Sequence, residues 1–436
     1  MVNKAPVSDA WSRMQPGKVH LFDMLREQAG STLVGSLLDA GFAFYVIDER
    51  HLFDARVDGR ELVIDKARYK AVVVPGAVIM PPQTMDLLVS FVRAGGTVVA
   101  TRRRPSQAPG FKATGEQHAH VARAAETLLG GQHPGGLFVE QDAETGTRLA
   151  TQIEPDVRWH ASASDVGFVH RRVGDADVYF LANTGNRAVT ATATLRAGRD
   201  VQRWDAVSGD RVRVASTGAG TGGAIGVSLA PYESAFYIVT DDGGARTAAA
   251  AAPSSCEPRG GRVDMAQGWH LVVPGIGPRP LAALTSWHEQ ADLRDFSGVM
   301  TYRREVDVSP AMLTAPCGVW LDFGEGTAKA EEPLTNGMRA WLEAPVREGA
   351  RVFVNGTDVG AVWAPPYRIR LGTALVAGRN VIEVRVGNTV LNRWASRPQP
   401  DYRLLHLRYG KRFDPQDIDR IVAQPSGLIG TPRLMY

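Results

Sequence analysis

The chain has 436 residues, of which 44% are hydrophobic and 22% charged, a composition typical of folded globular proteins and not of disordered ones. Its 49 basic and 46 acidic side chains leave a formal charge of only +3, which argues against nucleic acid as a main partner. No apolar run approaches the roughly 20 residues of a membrane-spanning helix, so no membrane partner is expected. The length suggests roughly three domains.

The beginning of the chain leaves its cellular compartment open. Residues 1–22, MVNKAPVSDAWSRMQPGKVHLF, lack the apolar segment of about 7 to 15 residues that defines a secretory signal. Either the protein is cytoplasmic or its true beginning is missing. The two cysteines, Cys256 and Cys317, make neither a disulfide framework nor a metal cluster that would decide between these alternatives.

Residues 1–150 predict a parallel α/β layer. Apolar residues recur at helical spacing from Leu33 to Leu38, and FAFYVID, residues 42–48, then predicts a strand. KAVVVPG and GTVVAT predict strands buried on both faces, and PPQTMDLLVSFVRAGG predicts the helix between them. This β-α-β order favours a flavodoxin-like or amidotransferase-like layer. Ahead of the first helix only VHLF is available as a strand, which indicates a module truncated at its start.

This α/β module lacks the usual motifs of catalysis. No Gly-rich phosphate loop lies between a strand and a helix, and no Ser or Cys follows VVVPG where an amidotransferase-like hydrolase would carry its nucleophile. His118 and His120 lie two residues apart on a predicted helix and therefore point to different faces, which argues against a shared metal. The module is predicted to be structural.

The remaining chain predicts two all-β regions joined by a linker. Residues 151–245 contain short alternating segments separated by Gly, Asn and Asp turns, a pattern typical of a β-sandwich. A stretch rich in Ala, Pro and Gly follows, and we place a linker at residues 246–262. Residues 263–436 predict a second all-β region that extends to the C-terminus. The expected fold class is therefore multidomain, α/β plus all-β.

One stretch of the last region suggests a binding site. In VFVNGTDVGAVWAPPYRIRL, residues 352–371, Asn355 and Gly356 predict a tight hairpin turn. The two prolines after Trp363 cannot extend a central ladder, so the chain must leave the sheet there. Aromatic rings at such an edge can stack on a sugar while Asn or Arg neighbours bond its hydroxyls. The alternative is that the rings simply close the end of the sandwich. The candidate carbohydrate contacts are Trp363, Tyr367, Arg368, Asn392 and Trp394.

Acidic and histidine residues offer no recognisable catalytic set. Glycoside hydrolysis needs two carboxyl groups that flank the scissile bond, and the sequence provides no way to pair its conspicuous acids. The histidines are isolated in sequence and are expected to be satisfied by hydrogen bonds. No catalytic or cofactor-binding residue is therefore predicted, and metal binding is left open. The residues considered are Asp205, Asp322, Glu325, Glu331, Glu332, His160, His170, His288 and His406.

Several segments along the chain together carry a resemblance to known enzymes. They are LLDAGFAFYVIDERHL, YKAVVVPGAVIMPPQTMDLLVSFVRAGGTVVAT, DVYFLANTG, VQRWDAVSGD, LTSWHEQADLRDFSGVMTYRREV, VFVNGTDVGAVWAPPYRI, GRNVIEVRVGNTVLNRW and QPSGLIG. Their order resembles the C-terminal portion of glycoside hydrolase family 106, the α-L-rhamnosidase-type enzymes. The final module is also similar to the sugar-binding, galactose-binding-like jelly roll of family 2 glycoside hydrolases.

The resemblance implies that the full-length enzyme hydrolyses terminal α-L-rhamnosides by an inverting, calcium-assisted reaction at two glutamates. In the family those glutamates lie on a β/α barrel that precedes the modules matched here, so no residue of this chain inherits a catalytic role. Family members are often periplasmic or secreted.

Three functions remain open at this point. We expect an accessory C-terminal region of an α-L-rhamnosidase-like enzyme, inactive alone, whose partner is a rhamnose-containing glycan. The alternative is a stand-alone carbohydrate-binding protein. A third hypothesis is a scaffold that packs against a separately encoded catalytic barrel.

Overall fold

The computed structural model describes residues 29–161, 163–196, 200–206, 209–217, 223–240, 258, 260–330, 342–398, 401–410 and 421–436. The predicted strand VHLF, Cys256, most of the predicted linker, and the pair Glu331 and Glu332 lie outside these residues. The division of the chain at residues 150, 245 and 262 stays a prediction.

The first part of the chain contains a three-stranded parallel sheet in the order β4-β5-β6, together with a small antiparallel meander, β1-β2-β3. The parallel β-α-β order is thus confirmed. The elements are α1 Leu33–Asp39, α2 Glu49–Phe53, β1 Arg56–Asp58, β2 Glu61–Ile64, β3 Ala67–Tyr69, β4 Ala71–Pro75, α3 Pro82–Arg93, β5 Thr97–Thr101, α4 Gly115–Leu129, β6 Gly136–Val139 and α5 Thr145–Ala150.

Both faces of the parallel sheet are covered because its strands are apolar on both sides. Val72 and Val98 belong to a cluster that includes Leu88 of α3, while Val99 belongs to a second cluster that includes Leu37 of α1. Successive side chains of a strand point to opposite faces, so the continuous valine runs supply both clusters.

The predicted strand FAFYVID, residues 42–48, is wrong: this segment has no regular secondary structure. The Ala43 N–H donates to Asp156 at 2.9 Å, and the Tyr45 ring lies edge-on to Tyr69 and under the Arg171 guanidinium. Phe42, Ala43 and Ile47 pack against three different clusters of the core. Phe44, Tyr45 and Val46 are exposed, and the segment does not pair in a sheet.

The second part is a β-sandwich, as the alternating pattern predicts. One sheet has the order β13-β14-β10-β7 and the other β12-β11-β15-β9-β8, and all their pairings are antiparallel. The strands are β7 Val157–Trp159, β8 Val166–Val173, β9 Ala176–Asn183, β10 Val189–Leu195, β11 Asp200–Trp204, β12 Arg211–Val214, β13 Ser216–Thr217, β14 Ala224–Leu229 and β15 Ser234–Thr240.

The third part is built around a six-stranded sheet, β18-β17-β19-β27-β24-β25, and a four-stranded sheet, β16-β29-β20-β26. The short pairs β21-β22 and β23-β28 complete it. The elements are β16 Arg262–Asp264, β17 His270–Val273, β18 Gly277–Pro280, β19 Val299–Val308, α6 Pro310–Leu313, β20 Trp320–Asp322, β21 Thr327–Ala328, β22 Leu342–Glu343, β23 Val346–Arg347, β24 Gly349–Val354, β25 Thr357–Val362, β26 Arg368–Arg370, β27 Gly378–Gly387, α7 Leu391–Ala395, α8 Arg403–Tyr409, β28 Gly427–Leu428 and β29 Arg433–Met435.

Strict alternation along β24 and β27 separates an inner face from an outer face of the six-stranded sheet. Val352 and Val384 are fully buried in the core of the third part, whereas Arg351 and Arg385 are exposed. This part also contacts the preceding sandwich, because the Asn186 side-chain amide donates to the Lys329 carbonyl at 2.8 Å. Cys317 is disulfide-bonded, which the sequence did not predict.

Candidate functional site

The predicted hairpin turn at residues 355 and 356 is confirmed. Both Asn355 and Gly356 have positive φ, at 51° and 83°, and the turn joins β24 to the edge strand β25. The Asn355 side chain accepts from the Val381 N–H at 2.9 Å and donates to Asn380 at 2.8 Å. These bonds fix the turn to β27, and they thereby position the start of the edge strand β25 that leads to Trp363.

The two aromatic residues after this hairpin have opposite settings. Trp363 is 63% exposed, whereas Tyr367 is only 7% exposed and belongs to the hydrophobic core. Burial raises the pKa of the Tyr367 phenol. Tyr367 is therefore part of the core of the third part, whereas the Trp363 ring is largely open to solvent.

The other three candidate contacts are not gathered around Trp363. The Arg368 guanidinium lies over the Trp320 ring, on the four-stranded sheet. Asn392 is fully buried, and its amide bonds the backbone of Gln424 in both directions at 3.0 Å. Trp394 is 49% exposed on the short helix α7. As sugar contacts these five residues remain a prediction, and Trp363 and Trp394 are the two whose rings are largely accessible.

Trp363 lines a concavity of about 520 Å³ on the outer face of the six-stranded sheet, which we name the Trp363 slot. The other members of its lining were not predicted from the sequence. The signal that could have found them is the period of two along β24 and β27, which places the outward residues on one face. The lining consists of Val299, Gly349, Ala350, Arg351, Phe353, Asp358, Ala361, Trp363, Arg385 and Gly387.

A second concavity of about 520 Å³ lies between the α/β part and the first sandwich. Among the described residues that line it, Asp39 is the single carboxylate, and Arg158 and Trp159 also belong to the lining. The Trp363 slot likewise has one lining carboxylate, Asp358. Neither lining provides the two carboxyl groups that glycoside hydrolysis requires.

A buried charged cluster, which we name the His170 cluster, consists of Asp156, His170, Asp177 and Arg196. The two ring nitrogens of His170 lie 2.7 Å from carboxylate oxygens of Asp156 and Asp177. Arg196 lies 2.8 Å from Asp156, and the imidazole stacks on the Tyr179 ring at 4.1 Å. Because both ring nitrogens are occupied within the protein, His170 has no free nitrogen for a substrate.

The electrostatics of this cluster explain why a carboxylate can be buried there. Burial acts to raise the pKa of Asp156, but the hydrogen bond from His170 and the charge of Arg196 outweigh it, and the pKa is lowered overall. Asp156 also accepts from the Ala43 N–H, so the ionised carboxylate connects the α/β part to the sandwich. The cluster is thus a structural junction, and His170 is hydrogen-bonded as expected.

The remaining conspicuous polar residues are also engaged in local structure. Asp322 accepts from the Gly324 N–H at 2.6 Å and lies 3.4 Å from Arg433. His118 accepts from the Ala108 N–H, whereas His120 bonds Asp86 at 2.8 Å. The two histidines therefore use different partners on different sides of α4.

Calcium assistance was implied by resemblance alone. Among the residues that the structure describes, no three His, Cys, Asp or Glu side chains come together as a metal site would require. No ligand set can be named, and calcium binding stays a prediction. Within the same described ranges, no helix has both the length and the apolar character needed to cross a bilayer.

Comparison with known proteins confirms the resemblance to the rhamnosidase family. Residues 35–217 match the model of glycoside hydrolase family 106, described as alpha-L-rhamnosidase. The structure matches a rhamnosidase from Novosphingobium sp. PP1Y with a TM-score of 0.61 and 25% sequence identity, over 87% of this chain and 35% of that protein. A Formosa agariphila protein named "Putative beta-glucuronidase" is 23% identical over 180 residues, which are 41% of this chain and 15% of that protein.

The chain therefore spans about a third of the rhamnosidase that it matches and a smaller share of the Formosa protein. A carbohydrate-active protein is the level of function that the matches support.

Proposed function

We propose that this chain is the accessory C-terminal region of an α-L-rhamnosidase-like glycoside hydrolase and does not hydrolyse glycosides by itself. The observation that carries the proposal is the extent of the structural match. Nearly all of this chain aligns with about a third of the Novosphingobium rhamnosidase. In this proposal the α/β part is an amidotransferase-like or flavodoxin-like layer without a nucleophile, and the last module is a galactose-binding-like jelly roll.

The side chains of the described concavities support this assignment. Each of the two has a single lining carboxylate, Asp39 or Asp358, and the perturbed carboxylate Asp156 is buried in a junction. An inverting mechanism needs one carboxyl group to protonate the leaving oxygen and another, roughly 6.5–9.5 Å away, to activate water. The proposal places that pair in a catalytic barrel, either encoded with this region or separately.

The direct test is an assay of the purified chain on an aryl α-L-rhamnoside, with the Novosphingobium rhamnosidase as the active control. We expect no release of the aryl group above a buffer blank. Release that co-purifies with the folded chain and is abolished by Asp39→Asn or Asp358→Asn would overturn the proposal and identify the active cleft.

The second candidate function is a stand-alone carbohydrate-binding protein, which the exposed Trp363 ring favours. Sequencing the DNA directly upstream separates the two candidates. An in-frame or frameshifted barrel coding region supports the accessory region, or a scaffold for a separate barrel. An unrelated upstream gene supports the binding protein.

A further inference from the structure

The floor of the Trp363 slot is a row of small residues across the six-stranded sheet. Val299 on β19 pairs with Gly387 on β27, and Gly387 pairs with Gly349 on β24. A Cβ atom on Gly349 would lie 3.3 Å from the Trp363 Cβ, and one on Gly387 would lie 3.7 Å from Val299. The absence of these side chains leaves an open trough between an aliphatic and an aromatic wall.

The two walls of this trough are unusually accessible apolar side chains. Trp363 is 63% exposed and Val299 is 55% exposed. Three strand spacings of about 4.8 Å separate their positions, so the walls are roughly 14 Å apart at the backbone. A flat ring with its substituents fits between them, and the volume of the slot lies within the usual range of small-ligand sites.

Charged side chains at one end of the trough are neutralised by their neighbours. Arg351 forms an ion pair with Asp358, and Arg385 lies 3.3 Å from Glu383. The Arg385 guanidinium also stacks over the Phe353 ring at 3.9 Å. Two guanidinium groups are thus balanced by two carboxylates, and the site offers fixed hydrogen-bond donors and acceptors without a net charge.

This combination defines the chemistry of the ligand. Seven of the ten lining residues are apolar or glycine, and three are charged: Arg351, Asp358 and Arg385. A neutral pyranose has an apolar face that can stack on Trp363 and hydroxyl groups that can bond a guanidinium and a carboxylate. Because Val299 makes one wall aliphatic, a sugar with a methyl group at C5 can bury that methyl group against it, whereas a hydroxymethyl group would bring a hydroxyl to the same apolar wall.

We propose that the Trp363 slot binds a neutral pyranose unit of a glycan and prefers a 6-deoxy sugar. This inference rests on the carbohydrate class of the proposed function, and it assigns that class to a defined surface. Trp363 provides the stacking platform, Arg351 and Asp358 bond adjacent hydroxyls, and Phe353 holds Arg385 in place.

Equilibrium binding to the purified chain tests the proposal. Methyl α-L-rhamnopyranoside and methyl α-L-mannopyranoside differ only by the hydroxyl at C6, and a methyl glucuronide tests whether the site takes an anion. Titration by calorimetry or ligand-detected NMR should show rhamnoside binding in the millimolar range, weaker mannoside binding and the weakest uronide binding. No binding of the rhamnoside to the wild-type chain, or tighter binding of the uronide, would overturn the proposal.

A matched pair of tryptophan variants locates the site. Trp363→Ala should weaken rhamnoside binding at least about tenfold, which corresponds to about 1.4 kcal/mol. Trp204→Ala removes a partly exposed tryptophan on β11 of the first sandwich that does not line the slot, and it should leave the affinity unchanged. Equal affinities of the wild-type chain and Trp363→Ala would exclude the slot, provided that the circular dichroism spectra of both variants match that of the wild type.

The binding and hydrolysis experiments fail independently. If the chain neither binds the sugar nor hydrolyses the rhamnoside, the accessory role stands and the proposed sugar site in the slot is wrong. A chain that hydrolyses the rhamnoside contradicts the accessory role, whatever Trp363→Ala does to binding.

Discussion

The His170 cluster and the Trp363 slot contain similar side chains in opposite environments. Each combines aromatic rings with arginine and carboxylate groups. In the cluster, Asp156 and His170 are buried and bond to one another, whereas in the slot Trp363 has no side chain between it and Val299. A perturbed carboxylate alone would have directed attention to the cluster as the functional site. Accessibility instead favours the Trp363 slot as the functional site, because the Trp363 ring is exposed whereas Asp156 and His170 are buried.

This difference separates two kinds of contribution. Polar groups whose hydrogen bonds are all formed inside the protein contribute to stability, and their loss leaves partners buried without compensation. An exposed ring over small residues contributes little to folding and remains available to a ligand. Changes to the His170 cluster should therefore lower stability, and changes to the Trp363 slot should lower affinity without lowering stability.

The largest effect is expected from Asp156→Asn. The substitution removes the charge that compensates Arg196 and alters the hydrogen bond to His170, so the free energy of unfolding should fall by about 4 kcal/mol. Urea unfolding followed by circular dichroism measures the change. The matched control is Asp86→Asn, which alters an exposed Asp–His pair with a similar distance of 2.8 Å to His120 and should cost at most about 1 kcal/mol.

The acid dependence of this difference follows from the lowered pKa of Asp156. The folded state binds the proton less readily than the unfolded chain, so the stabilisation is present above the ordinary value of 3.8 and is lost as the pH falls through the folded value. The difference in unfolding free energy between the wild type and Asp156→Asn should therefore become smaller below about pH 4. Equal losses for the Asp156 and Asp86 variants at pH 7 would contradict the structural role of the cluster.

Gly41→Ala should have the next largest effect because it acts on the same junction through the backbone. Gly41 has φ of 83°, and a Cβ there would lie 1.7 Å from the Val157 carbonyl oxygen. Positive-φ strain and overpacking together predict a loss of about 3 kcal/mol in unfolding free energy, measured by the same urea titration. Sugar binding by the folded fraction should not change.

Gly59→Ala is the control for this substitution. Gly59 also has positive φ, at 59°, but a Cβ there would meet no atom within 4 Å. Gly59→Ala should therefore lower the free energy of unfolding only by the conformational strain, about 1–2 kcal/mol. If both variants lost the same stability, the close approach of Gly41 to Val157 would be irrelevant to the junction.

Asn355→Ala should lower the free energy of unfolding by about 2 kcal/mol, because it weakens the turn that leads to the slot. The variant loses the bonds to Val381 and Asn380 and places a non-glycine residue at a φ of 51°. Asn355→Gly loses the same bonds without the strain, so it should cost roughly half as much in urea unfolding. A larger loss for glycine than for alanine would show that the positive φ is not what selects asparagine here.

Features that depend on neighbouring residues could be predicted from the sequence. The turn at Asn355 and the parallel strands of KAVVVPG and GTVVAT are examples, because turn chemistry and apolar runs act over a few residues. The prediction of a strand at residues 42–48 is wrong because the structure of this segment depends on residues that are distant in sequence. FAFYVID has a strand-like composition, but Tyr45 is held by Tyr69 and Arg171, which are distant in sequence.

Both sites depend on such distant pairs. Asp156 and His170 are separated by 14 residues, and the row from Val299 through Gly387 to Gly349 depends on the pairing of three strands. Sequence alone indicates that Trp363 lies at a sheet edge, but not which residues the register places beside it. The outward alternation of β24 and β27 gives the candidates, and only the register gives their arrangement.

The smallest expected effect, on affinity alone, gives the sharpest test of the slot. Gly349→Val fills the floor of the trough with a β-branched side chain that suits a strand, and its Cβ lies 3.3 Å from the Trp363 Cβ. Binding of methyl α-L-rhamnopyranoside should weaken about tenfold, or about 1.4 kcal/mol, because the sugar ring loses its place between the walls. Gly226→Val, on β14 of the first sandwich where a Cβ would meet no atom within 4 Å, is the control and should bind as wild type does. Unlike Trp363→Ala, this substitution keeps the indole, which must give by a few tenths of an ångström, and it fills the space beside the ring. Unchanged affinity in Gly349→Val would therefore mean that any sugar stacking on Trp363 uses the ring from outside the trough, and the contrast between a filled junction and an open slot would no longer hold.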